Sequence, residues 1–319
     1  MSPGLASMVK GLVPPASGAV VMGTGIVAIG LGLDHQPLFS RLVLALAGAV
    51  WGLLGGVLIA RLLTGREGLE VEARSPAALT GVAGSAVLGT ALTLIGWVWA
   101  GGALLAVSTG LWLILVGPVA GHWTVPTVGV SFMITVATEA LAVLAATLAA
   151  ATGSAWLAVA AAVPWLLGLL AYVLVLSRFD LCQLATGRGD HWVSGGALAI
   201  SALASGRLTL AASALGWPHQ LVRDLALVAF GVWVAAVAWL PALLLAEALR
   251  PRLGYDLRRW ATVFPVGMYA ACSFVVGRAA RMTALEMFAA VWVWAGVLVW
   301  VLVLVPTLRR TASSVRALL

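Results

Sequence analysis

The chain has 319 residues, of which 62% are hydrophobic and 9% charged, and its mean hydropathy is +1.09. No soluble core needs that much apolar surface; lipid does, because a spanning helix takes about 20 mostly apolar residues. The net charge of +7 lies on residues scattered through short loops, not on one basic face, which argues against a nucleic-acid surface.

Backbone polar groups in hydrocarbon must be satisfied within their own segment, so long apolar runs predict helices. Period-two alternation is absent over most of the chain, which argues against a β-barrel. Clusters of Arg, Asp, Gly and Pro punctuate ten predicted spans: 13–33, 39–62, 79–97, 103–121, 126–151, 155–177, 192–206, 222–247, 260–280 and 284–307. No linker is long enough for a second domain, so residues 1–319 read as a single transmembrane domain. The first apolar segment has no small-residue cleavage site after it and is expected to be retained. Lysine is confined to Lys10 while Ala, Gly, Val and Arg abound, a composition typical of GC-rich bacterial genomes.

Basic residues orient the spans. One side collects Lys10, Arg61, Arg66, Arg74, Arg178, Arg188, Arg250, Arg252, Arg258, Arg259, Arg309, Arg310 and Arg316; the other collects Arg41, Arg207, Arg223, Arg278 and Arg281. This asymmetry predicts both termini in the cytoplasm of a bacterial inner-membrane protein. Cys182 and Cys272 read as reduced small hydrophobes. His35, His122, His191 and His219 read as interfacial residues without metal-ligand spacing, so neither metal nor cofactor is expected.

Hydroxyl side chains and tryptophans alternate along the spans. Thr24, Ser85, Thr90, Thr93, Ser131, Thr135, Thr138, Ser201, Ser205 and Ser273 all fall in odd-numbered spans; Trp51, Trp112, Trp165, Trp233, Trp239, Trp292, Trp294 and Trp300 all fall in even ones. Thr127, Ser131, Thr135 and Glu139 recur every four residues, and Thr262, Tyr269 and Ser273 follow offsets of seven and four, which keep side chains on one helix face. Such stripes commonly serve helix packing. Five of them in alternation predict an all-α architecture of five helical hairpins, the odd helices forming an inner ring around a central pore and the even helices facing lipid. Thr24, Ser85, Thr93, Ser131, Thr135, Glu139, Ser201, Gly267 and Tyr269 are the expected pore-lining residues. Glu139 is the single acid near the middle of a span. Its cost at bilayer depth makes it either a proton-coupling group or a neutral carboxyl bonded to a neighbouring helix.

Three segments carry a resemblance. Val20-Val21-Met22-Gly23-Thr24-Gly25-Ile26-Val27 opens the first span, His191-Trp192-Val193-Ser194-Gly195-Gly196-Ala197-Leu198-Ala199-Ile200 opens the seventh, and Trp260-Ala261-Thr262-Val263-Phe264-Pro265-Val266-Gly267-Met268-Tyr269 opens the ninth. Together they resemble the tellurite-resistance/dicarboxylate transporter family, which includes bacterial anion channels, fungal malate and sulfite exporters and the slow anion channels of plant guard cells. The resemblance implies ten helices as five hairpins, a homotrimer, and a ninth-span phenylalanine that occludes the pore. That role falls to Phe264. Pro265 beside it is expected to kink the span and push the ring toward the axis. On an ideal helix, however, Phe264 lies roughly opposite the stripe of Thr262, Tyr269 and Ser273. The chain departs from bacterial relatives at Val275, where a basic residue is common; Arg278 follows about a turn later.

The functional expectation is a membrane channel or transporter, not an enzyme, that passes small inorganic or organic anions such as chloride, nitrate, sulfite or C4-dicarboxylates. The partners expected are those anions, the lipid bilayer and two further copies of the chain, with no nucleic acid. No cationic side chain is expected deep in an odd span; Arg207 and Arg278, read as lying at the outer ends of spans seven and nine, are the candidate anion-attracting residues. A proton-coupled dicarboxylate carrier using Glu139 is the alternative. A membrane-embedded enzyme or a structural subunit is more distant, since no nucleophile stands beside a base.

Overall fold

The computed structural model describes residues 15–64, 68–186, 189–251 and 256–316. Lys10, Arg66, Arg188 and Arg252, used above for orientation, and the first two residues of predicted span one lie outside these. Among the described residues, nine helices are long and apolar enough to cross a membrane, and a shorter apolar helix, Gly18–Leu33, precedes them. The ten spans are Gly18–Leu33, Pro37–Thr64, Pro76–Leu94, Val98–Gly121, Gly129–Thr152, Ala155–Leu176, Trp192–Ala214, His219–Leu249, Trp260–Ala280 and Thr283–Arg316.

Consecutive spans pair as five hairpins. Each odd span also packs against the next odd span, and span nine packs against span one, so the odd helices form a closed inner ring. Each even helix leans on its own partner and, more lightly, on the inner helix of the following hairpin. In spans three, five, seven and nine, 72–100% of the most apolar stretch is buried, against 17–22% in the even spans. The even helices are also the more apolar, as lipid-facing helices must be, while the odd ones carry the small and hydroxylated residues that let backbones approach.

The five hairpins turn alike. The turn between the two helices of each contains one residue in the left-handed region: His35 (φ 59°), Gly96 (φ 92°), Gly153 (φ 68°), Gly216 (φ 69°) and Arg281 (φ 56°). Such a residue reverses the chain tightly after a helix C-terminus, and glycine does so without a Cβ penalty. The opposite ends are joined by longer and less regular segments, including the short helices Leu69–Ala73 and Cys182–Thr186.

Several predicted boundaries move; span four, for example, starts at Val98 and not at residue 103. Span seven continues past residue 206 to Ala214, because Leu208-Thr209-Leu210-Ala211-Ala212 carries the helix on after Arg207. Span ten runs to Arg316. Span eight is interrupted at Ala238-Trp239 and restarts at Leu240, where Pro241 lacks an N–H and crowds the carbonyl four residues earlier.

Candidate conduction pathway

A cavity of about 320 Å³ opens where the odd spans begin. All five contribute to its wall: Ala19 and Met22 from span one, Ala77 and Thr80 from span three, Val130 and Met133 from span five, Val193 from span seven, and Trp260, Ala261 and Phe264 from span nine. Asp190, Gln183 and Arg258 stand at its rim, from the connections. By position along their helices, Met22, Thr80, Met133 and Phe264 are the deepest members; the Thr80 hydroxyl donates to the Ala77 carbonyl at 2.8 Å, and Phe264 is only 2% exposed. The cavity therefore closes on a mostly apolar floor. Five helix N-termini surround it, each presenting the positive end of its dipole.

Span nine settles the earlier conflict over which face Phe264 occupies. Tyr269 donates its hydroxyl proton to the Ala236 carbonyl of span eight at 2.9 Å, and Ser273 Oγ accepts the Trp233 indole N–H of the same span at 2.7 Å. That stripe is an interface with the outer ring, and Phe264, on the other face, meets the cavity. The helix runs unbroken from Trp260 to Ala280 through Pro265. The proline ring packs on Gly196 of span seven, where a Cβ would come within 2.7 Å of it.

The same outward orientation recurs around the ring. Trp51 donates its indole N–H to Ser85 at 2.8 Å, Trp112 to Thr138 at 2.9 Å, Trp165 to Ser205 at 2.8 Å, Trp233 to Ser273 at 2.7 Å and Trp300 to Thr24 at 3.2 Å. Every bond joins an even span to the odd span of the next hairpin. Ser85, Thr138, Ser205 and Ser273 each donate in turn to the carbonyl four residues back, so both roles of the hydroxyl are filled inside the protein. The alternation seen in the sequence thus has a different cause from the polar lumen expected. The hydroxyls of Thr24 and Ser85 hold the two rings together and do not line the axis.

The remaining expected lining residues divide. Thr93 donates to Gly89 at 2.8 Å and abuts Gly101 of span four. Ser131 accepts from the Val128 N–H at 3.2 Å and lines a separate pocket with Arg74, His122 and Trp123. Gly267 faces Ile26 of span one, where a Cβ would approach to 2.8 Å. Ser201 donates to Ala197 at 3.0 Å. Thr135 is fully buried, and its hydroxyl has no partner among the described residues.

Glu139 is fully buried and turned to span six, where Gly168 leaves room for it; a Cβ there would lie 2.5–2.7 Å from the carboxyl group and its Cγ. Neither carboxyl oxygen has a hydrogen-bond partner among the described residues, the neighbouring Ser201 hydroxyl being engaged with its own helix. Arg207, expected at a span end, lies inside span seven and is 8% exposed, contrary to the expectation that no cation stands deep in an odd span. Arg278 occupies the last turn of span nine, donating to the Leu33 carbonyl at 2.9 Å and lying 3.6 Å from Glu286.

The five inner helices thus close on themselves around a cavity that all five line. Residues 13–308 match the model of the SLAC1 family, voltage-dependent anion channel. The chain belongs to this family. No curated protein matches it. The family match spans all ten helices, identifies the chain as a membrane anion channel or transporter in general terms, and agrees with the resemblance carried by spans one, seven and nine. Family members are channels or transporters, not enzymes. The sequence reading missed the five indole–hydroxyl bonds, although both partners of every bond were visible in it; the signal was the constant step from each even span to the next odd one.

Proposed function

We propose that the chain forms a passive pore for small anions along the axis of the inner ring, held shut by Phe264. The observation that carries this is the cavity whose wall draws on all five odd helices and whose floor includes that phenylalanine. The floor is mostly apolar, so water and ions are excluded until the phenyl ring of Phe264 moves, which is gating by dewetting. The positive helix ends around the mouth favour anions over cations. Chloride, nitrate, sulfite and C4-dicarboxylates are the candidate substrates.

The proposed setting is a bacterial inner membrane, with the cavity mouth and both termini on the cytoplasmic side, a placement that the arginine distribution supports. The proposed assembly is a homotrimer. A proton-coupled carrier using Glu139 is less well supported, because the carboxyl is directed at Gly168 of an outer helix and not at the cavity.

The test is anion flux into liposomes containing purified wild type or Phe264→Ala. A plug predicts severalfold faster flux in the variant. Unchanged flux through a folded Phe264→Ala protein overturns the role of this residue.

A further inference from the structure

Two arginines lie farther along the face that carries the cavity residues. On span seven, Val193, Ile200 and Arg207 are spaced by seven; on span nine, Phe264, Ala271 and Arg278 are spaced by seven. A seven-residue step returns a helical side chain to the same face. Val193 and Phe264 both line the cavity. Arg207 therefore lies on the same face of span seven as Val193, and Arg278 on the same face of span nine as Phe264, each about 21 Å farther along its helix at 1.5 Å per residue. The like charge of Arg278 acts on Arg207.

The two guanidinium groups differ in how they are satisfied. Arg278 donates to Leu33, sits 3.6 Å from Glu286 and lies 5.9 Å over the Phe274 ring. Arg207 has no ion pair among the described residues, and its Nε and Nη2 are buried without hydrogen-bond partners. An ion at bilayer depth is normally paired or hydrated. Nε and Nη2 form one edge of the guanidinium, with two parallel N–H groups that match two oxygens of a planar oxyanion. Chloride, a sphere, takes no advantage of that edge.

We infer that Arg207, flanked by Arg278, forms an internal site in the pore for a planar oxyanion, either nitrate or a carboxylate, and selects it over chloride. This rests on the pore reading above. In the occluded conformation the edge is shielded from solvent, and the side chains packed around Arg207 must shift for the oxyanion to seat.

The experiment compares Phe264→Ala with Phe264→Ala carrying Arg207→Lys or Arg207→Gln, all reconstituted in planar bilayers. Reversal potentials are read under nitrate/chloride and formate/chloride gradients. The Lys variant is expected to keep preference for anions over cations but to lose roughly tenfold in oxyanion-to-chloride permeability, the scale of one charged hydrogen bond. The Gln variant is expected to lose both. An unchanged permeability ratio in a folded Lys variant overturns the site while leaving the pore intact. The second measurement is thermal unfolding of the detergent-purified wild-type chain and of Arg207→Lys in sodium nitrate, formate or chloride at one ionic strength. Oxyanion-specific stabilisation that Arg207→Lys abolishes supports the site even if no current passes; equal melting in all three salts overturns it.

Discussion

Trp300 of span ten donates its indole N–H to the Thr24 hydroxyl of span one at 3.2 Å, across 276 residues of sequence. This bond closes the circle, tying the last helix of the chain to the first helix of the ring. Four equivalent bonds tie the other outer helices forward by one hairpin.

Removing one such bond is expected to weaken the bundle modestly. Trp165→Phe keeps an aromatic ring and deletes only the N–H, which leaves the Ser205 oxygen with one contact fewer. The expected loss is about 1 kcal/mol, and a double-mutant cycle with Ser205→Ala is expected to return a coupling of roughly 0.6 kcal/mol. Reversible unfolding in detergent checks both numbers.

Gly168 and Glu139 are expected to behave as a volume pair. Gly168→Ala places a methyl group against the carboxyl and is expected to cost about 1–3 kcal/mol by overpacking. Glu139→Ala empties that space, so the double variant is expected to be more stable than Gly168→Ala alone. Melting curves of the three variants decide; a double variant no better than the single would show that the strain lies elsewhere.

Glu139→Gln preserves shape and removes the ability to ionise. Because the carboxyl faces span six, anion flux and its selectivity are expected to be retained. Flux driven by a pH gradient that disappears in this variant would favour the carrier over the pore.

Conduction is expected to respond to the polarity of the cavity wall. Val193→Ser makes the cavity wall more polar and is expected to raise anion flux with Phe264 still in place. Ser201→Ala, whose hydroxyl is spent on the Ala197 carbonyl, is expected to leave flux unchanged. Parallel liposome assays compare the two.

The left-handed turns give a stability prediction. Arg281 pays the steric cost of φ 56° where three of the other four turns use glycine. Arg281→Gly is expected to be neutral or slightly stabilising, while Gly153→Val is expected to cost about 1–2 kcal/mol. Thermal unfolding of both variants is the check.

The ring plan was legible because lipid and protein impose different compositions on the two rings, and the spacing of loops counted the spans. The direction of the hydroxyls was not. Ser85 and Thr24 sit on helical stripes, and a stripe fixes a face without naming what that face meets. Only the partner indoles, 34 and 276 residues away, supply that. Arg207 misled for a related reason. An arginine in an apolar run reads as the end of a span, yet Leu208 to Ala214 is apolar enough to continue the helix, so a deep cation passed for a loop residue. The face that Phe264 occupies was not legible, since the opposite stripe competed for the same axis and only the bond of Tyr269 to span eight marks that stripe as an interface.

The stitching of each outer helix to its neighbour's inner helix limits how the pathway can open. Dilating the bundle like a camera iris would shear all five indole stitches together, whereas turning one phenyl ring disturbs none of them. For the pore proposed above, a wall laced in this way is a fixed sleeve, and control over passage is then confined to the small moving parts inside it.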